Sequence, residues 1–246
     1  MKMENKPFID FHLLEDIMLQ FSIEDFRKYQ TLIELFLKTE LNNQQKKFDE
    51  SGILDKIDQA KRENNHDLVD YYEMVLDSKS EEYWDIKKHF PHNFRSAFLI
   101  QIFSFIEHKL KSICDQHHFR SNSDFKMKEL KGSSDLDKAK LYLKKSCKVN
   151  FERLEPEWAF INLIRKIRNR LVHHQGIIYK TDNEYIEIKN YVEKNNFLEF
   201  KNNMEMNRDE IIITTEELNE KLLNVVELFF KKLLTELKVN KQKLIS

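Results

Sequence analysis

An arginine and a histidine five residues apart, with an asparagine beside the arginine, are the side chains of this 246-residue chain best suited to chemistry. They are Arg168, Asn169 and His173. Imidazole exchanges a proton near neutrality, so His173 suits acid–base work. A guanidinium stays charged and offers planar donors that match a phosphate, so Arg168 suits anion binding. Asn169 can donate and accept hydrogen bonds at once.

The stretch from Phe160 to Gly176 that carries them reads as one amphipathic helix. Phe160, Leu163, Ile164, Ile167 and Leu171 recur at helical spacing and form an apolar stripe. On such a cylinder Asn169 and His173 lie within about 40° of each other, whereas Arg168 projects about 140° from His173. His174 stands about 100° round from His173 and is an accessory at most. Pro156 suits a first helical turn and Gly176 a left-handed cap. A plainer reading competes. Arg165, Arg168, Arg170, His173 and His174 near a helix C-terminus are what the macrodipole favours, and Arg168 could pair with Glu107 on a facing helix.

Arg168-Asn-Arg-Leu-Val-His173 resembles the Arg-x4-His motif of the HEPN superfamily, in which the residue after Arg is commonly polar and often Asn. The stretch from Phe94 to Glu107 is similar to the long opening core helix of such domains, which often carries a glutamate here. The resemblance spans residues 92 to 240, weakly outside the motif. It implies a metal-independent endoribonuclease with no cofactor. Arg168 would hold the scissile phosphate, His173 would act as acid or base, and Asn169 would orient the helix end or the substrate. One His and one Arg are a thin set for this. In the family two chains pair and place two motifs across one cleft, which implies a homodimer. The implied products carry 2′,3′-cyclic phosphate and 5′-hydroxyl ends. The implied settings are toxin–antitoxin or anti-phage systems, with an antitoxin or defence partner. Some members carry a Tyr two residues after the motif His that a partner modifies. Here that position is Gln175 and the nearest Tyr is Tyr179, so such regulation is not expected. The alternative from another class is a non-catalytic HEPN-like module that binds RNA or protein.

Other chemistry is thinner. Lys138, Lys144, Lys145 and Lys148, with Arg165, give a local basic excess that could track an RNA backbone, although a solvated helix face is the commoner cause. Cys114, His117, His118 and Cys147 lack metal-ligand spacing, and His89 and His92 straddle Pro91. Trp84 and Trp158 read as core or interface anchors rather than base platforms. No glycine loop fit to cradle phosphates occurs, and no Ser or Cys has a recognisable nucleophile context.

The bulk composition agrees with a helical globular protein. Hydrophobic residues make up 41% and charged residues 34%, with only 3 Gly and 3 Pro. The formal net charge is −1, so any RNA site must be a local patch. There is no apolar run of ~18 residues and no apolar leader, so no membrane contact is expected. Two cysteines give no disulfide framework, and a reducing cytoplasm is the default location.

The expected fold is mainly α, an up-and-down helical bundle with a small antiparallel β insertion near the C-terminus. Residues 1–90 read as an N-terminal helical region, either packed on the bundle or separate. Residues 91–246 read as the HEPN-like domain, with the insertion at 177–214. Phe8, Phe11, Leu14, Ile17 and Met18 trace a first stripe. Ser22 opens a helix with Phe26, Tyr29, Ile33, Phe36 and Leu37 inward, and Asn42 to Gln45 breaks it. Shorter helices follow over 67–76 and 81–88, and Pro91 ends the region. Residues 93–118 form a helix apolar nearly all round in its first half, hence buried. Ser134 caps another, with Leu136, Ala139, Leu143 and Cys147 inward. Residues 177–179, 185–189 and 210–214 read as strands. Thr215 caps a last helix with Leu218, Leu222, Val226, Phe229, Leu233 and Leu237 inward.

Overall fold

The computed structural model describes residues 11–121, 123–132 and 134–243, so Phe8 lies outside the described residues, as does the side chain of Phe11. The protein is mainly α. Four long helices form the bundle: α1 (Phe11–Glu50), α4 (Phe90–Ser121), α6 (Glu155–His174) and α8 (Glu217–Lys243). The hairpin α2 (Ile53–Arg62) and α3 (His66–Trp84) joins the first two, and α5 (Asp135–Lys145) precedes α6. Around the bundle α1 packs on α8 and α4, and α6 packs on the other flank of the same two helices. Successive long helices run in opposite directions: Glu34 meets Arg95 and Glu15 meets Lys109 between α1 and α4, while Glu157 meets Lys232 between α6 and α8. The core is aromatic and aliphatic, with Phe98, Phe103, Phe229, Phe230 and Tyr142 fully buried. Trp158 stands 5.6 Å from Phe229 and Phe105 6.3 Å from Phe230, centroid to centroid. Among the described residues no helix is long and apolar enough to cross a membrane.

The N-terminal helix corrects several expectations. Ser22 does not open a helix and Asn42 to Gln45 does not break one, because α1 runs without interruption over 40 residues. The Ser22 hydroxyl instead donates to the Met18 carbonyl one turn back, a bond available to Ser inside a helix. Leu19, Ile23 and Leu37 are the buried apolar positions, with Phe26 packed against the core. Leu14, Ile17 and Met18 are exposed, and so are Tyr29 and Phe36. The sequence carries two apolar stripes on opposite sides of one helix, which blurs the periodicity that would tell them apart. Pro91 does not end the helical region either. α3 passes through a π-helical turn, Asp85–His89, directly into α4, with Pro91 in the first turn. The wider π turn accommodates a residue that lacks an N–H and crowds the carbonyl four back.

The sheet inserted after α6 is antiparallel with order β1-β3-β2: β1 (Ile177–Tyr179), β2 (Leu198–Asn203) and β3 (Arg208–Ile213). Residues 185–189, read as a strand, belong to helix α7 (Tyr185–Val192). Alternation over five residues misled, because Tyr185, Ile188 and Val192 are the buried set while Ile186 is exposed. The strand paired across β3, with Phe200 opposite Ile211, escaped notice between two asparagine-rich turns. Ser134 caps α5 as expected, accepting from Asp137 N–H, and the inward residues expected of α5 and α8 are buried. α8 begins at Glu217, one residue later than a Thr215 cap would place it, and the Thr215 hydroxyl accepts from Glu217 N–H at 3.4 Å.

Candidate functional site

The C-terminal turn of α6 is fixed by the residue that follows it. Gln175 and Gly176 both take left-handed backbone conformations, φ 52° and 80°. Their N–H groups both converge on the carbonyl of Arg170, at 2.9 Å for Gly176. The Gly176 carbonyl accepts from Ile211 N–H at 3.0 Å, which docks the helix end on β3. A Cβ at Gly176 would stand 3.1 Å from the Ile211 carbonyl oxygen, so the close approach and the positive φ both require glycine. Ile164 and Ile167 are buried and Leu171 packs against the core, which sets the rotation of α6 and presents Asn169 and His173 to solvent.

The basic side chains of α6 divide into two groups. Arg165 donates to Ser134 Oγ at 2.7 Å and lies 3.5 Å from Asp137. Lys166 pairs with Glu187. Arg170 is clamped between Asp182 at 2.8 Å and Glu184. Burial opposes ionisation of Glu184, yet the Arg170 hydrogen bond holds its carboxyl below the usual range. Arg168 differs. Among the described residues it meets no carboxylate, Glu107 included. Its Nη1 donates to Asn169 Oδ1 at 3.2 Å, and its Nε is buried without a hydrogen-bond partner. Asn169 lies between Arg168 and His173 round the helix, so this bond draws the guanidinium toward the histidine. His173 and His174 are exposed. Arg168, Asn169 and His173 therefore share one helix end, and among the described residues Arg168 holds no counter-ion.

Beside this end lies a cleft of about 810 Å³ between the start of α4, the sheet and α6. Leu171 and Gln175 line one wall, Lys88, His89 and Asn93 another, and Lys201 a third. Sequence reasoning missed it, since its walls come from three separated parts of the chain. On its α4 side His92 Nδ1 accepts from Ile213 N–H at 3.0 Å, and burial holds its imidazole below its ordinary pKa.

The lysines singled out from sequence divide between the start of α6 and the turn that carries Arg165. Lys138 sits 3.9 Å from Asp135, near the Arg165 contact. Lys140 pairs with Glu155, the first residue of α6, and stands over the Phe151 and Trp158 rings. Lys144, Lys145 and Lys148 follow it in exposed positions. Twenty residues of α6 span about 30 Å, which separates its start from His173. Glu107 is half-buried on α4. His117 Nδ1 is 3.2 Å from the Tyr142 hydroxyl and His118 Nδ1 is 2.9 Å from Ser123 Oγ, where they tie α4 to the α5 region. Cys114 and Cys147 are buried, and burial raises both thiols, Cys147 to about 12. Trp158 is a core residue, whereas Trp84 is exposed beneath Lys87 and Lys88. In comparisons with family models, curated proteins and solved structures, nothing matches the chain.

Proposed function

We propose that the chain is a metal-independent endoribonuclease of the HEPN type, active as a homodimer. The observation that carries this reading is Arg168. Each other basic side chain between Arg165 and Arg170 has a carboxylate, while among the described residues this guanidinium bonds only Asn169, on a helix end that also carries the exposed His173. A cation placed only to stabilise a helix end would gain by taking a counter-ion; one kept for a phosphate must not. In the reaction a base removes the ribose 2′-OH proton. The 2′-oxygen attacks phosphorus, and the bond to the 5′-oxygen breaks as an acid protonates it. The products are a 2′,3′-cyclic phosphate and a 5′-hydroxyl. His173 fits the proton-transfer roles, and a second chain supplies the second imidazole. Arg168 balances charge on phosphorus, and Asn169 steers the guanidinium. A toxin or anti-phage role, with a protein that restrains or triggers the activity, belongs to this reading through the family resemblance alone.

The test is labelled RNA in EDTA with wild type, Arg168→Ala and His173→Ala. Cleavage by wild type alone supports the nuclease. RNA retention without cleavage replaces it with a binding module. One observation favours a second reading, a protein-interaction module: the outer face of α1 is strongly apolar.

A further inference from the structure

We infer that α1 carries a self-complementary seam on which a second copy of this chain docks antiparallel. Helix α1 is apolar on two opposed sides. Leu19, Ile23 and Leu37 face the core. About 150° round the helix, Ile17, Met18, Phe21, Leu32, Leu35 and Phe36 are between 41% and 65% exposed. Single exposed apolar residues are ordinary, but two clusters of this kind on one helix face, at Ile17 to Phe21 and Leu32 to Phe36, mark an interaction surface. It runs about 29 Å from Ile17 to Phe36.

The occupant follows from the charges in the middle of the stripe. Positions 14, 18, 21, 25, 28, 32 and 35 repeat at spacings of four and three, the period of a two-helix seam. Asp25 and Lys28 are the two charged members, and both are exposed. When a second α1 is laid antiparallel so that Phe21 meets Leu32, Met18 meets Leu35 and Ile17 meets Phe36. The same register sets Asp25 against Lys28 twice, once on each side of the two-fold axis. Sliding one helix by three residues to bring Met18 onto Leu32 would place Asp25 on its own mate, two like charges in an apolar seam. A two-fold contact requires the same patch on both partners, and this patch satisfies that condition in sequence order. A paired charge within an apolar stripe is also the device that fixes register in helical pairs.

This seam does not rest on the nuclease reading. α1 and α6 lie on opposite flanks of α4 and α8, so pairing through α1 leaves the α6 ends facing outward. It is a contact beyond the one that would join two motifs.

The test is oxidative cross-linking of the purified full chain carrying Met18→Cys and Leu35→Cys together, beside each single variant. The native cysteines are buried and stay out of the reaction. The double variant is expected to form a covalent dimer, and each single variant is not, because like positions lie about 25 Å apart along the seam. Leu32→Asp is expected to halve the particle mass in light scattering without lowering the melting temperature. Asp25→Lys or Lys28→Asp alone is expected to weaken association about three- to tenfold, and the two together to restore it. Equal cross-linking by the single variants, no cross-link in the double, or an unchanged mass for Leu32→Asp would overturn the seam. RNA cleavage is measured separately, so failure of one proposal is distinguishable from failure of the other.

Discussion

Among single residues, Arg168 and Arg170 differ most sharply in what holds them. Arg170 is held by Asp182 and Glu184, while Arg168 meets no carboxylate among the described residues. Arg168→Ala is therefore expected to change thermal stability by no more than about 0.5 kcal/mol, and Arg170→Ala to cost about 2–3 kcal/mol by leaving two carboxylates near the α6 end unanswered. Paired melts of the two variants check this. Equal losses would mean that Arg168 is structural. The residue types were legible in the sequence, since Arg, Asn and His at this spacing already specify anion binding beside acid–base chemistry. The angle was not. Spacing alone turns Arg168 away from His173, and the side-chain bond to Asn169 became visible only in the fold.

At the scale of elements, α6 depends on its joints. Gly176→Ala forces a Cβ toward the Ile211 carbonyl at a positive φ and is expected to cost about 1–2 kcal/mol, read by thermal unfolding. The pair between Glu34 and Arg95 ties α1 to α4 with bonds of 2.8 and 2.7 Å, and both side chains are largely buried, at 9% and 11% exposed. Arg95 also donates to the Thr214 carbonyl ahead of α8. Arg95→Ala is expected to cost about 3–5 kcal/mol, because it strands a buried carboxylate. The joint between α4 and the sheet should respond to acid. Burial lowers the pKa of His92 from its ordinary 6.5, and the Nδ1 that accepts from Ile213 must be unprotonated. Its contribution is present above 6.5 and is lost as pH falls through the lower native value, since the unfolded chain takes up the proton first. His117, also lowered by burial, acts in the same direction. Melting temperature is expected to fall between about pH 7 and pH 5.5, less steeply for His92→Gln. The helices with one apolar face, α5 and α8, were legible down to their inward residues. α1 was not, because its second stripe mimics a core, and α7 was not, because five alternating residues cannot distinguish a strand from two helical turns.

At the scale of the whole molecule, mainly α architecture was readable from scarce Gly and Pro and from helical spacing. The cleft was not, since Lys88, Gln175 and Lys201 are far apart in the chain and meet only in the fold. Nor was the pairing of Lys140 with Glu155 at the start of α6, far from the motif at its end. The nuclease reading needs two chains, each bringing one imidazole and one guanidinium. The most direct test is end-group analysis of RNA incubated with the intact protein in EDTA. The account predicts 2′,3′-cyclic phosphate and 5′-hydroxyl ends from wild type, and a rate reduced at least about 100-fold in a His173→Ala protein that melts normally. Intact RNA with wild type, or cleavage that survives in His173→Ala, would contradict it.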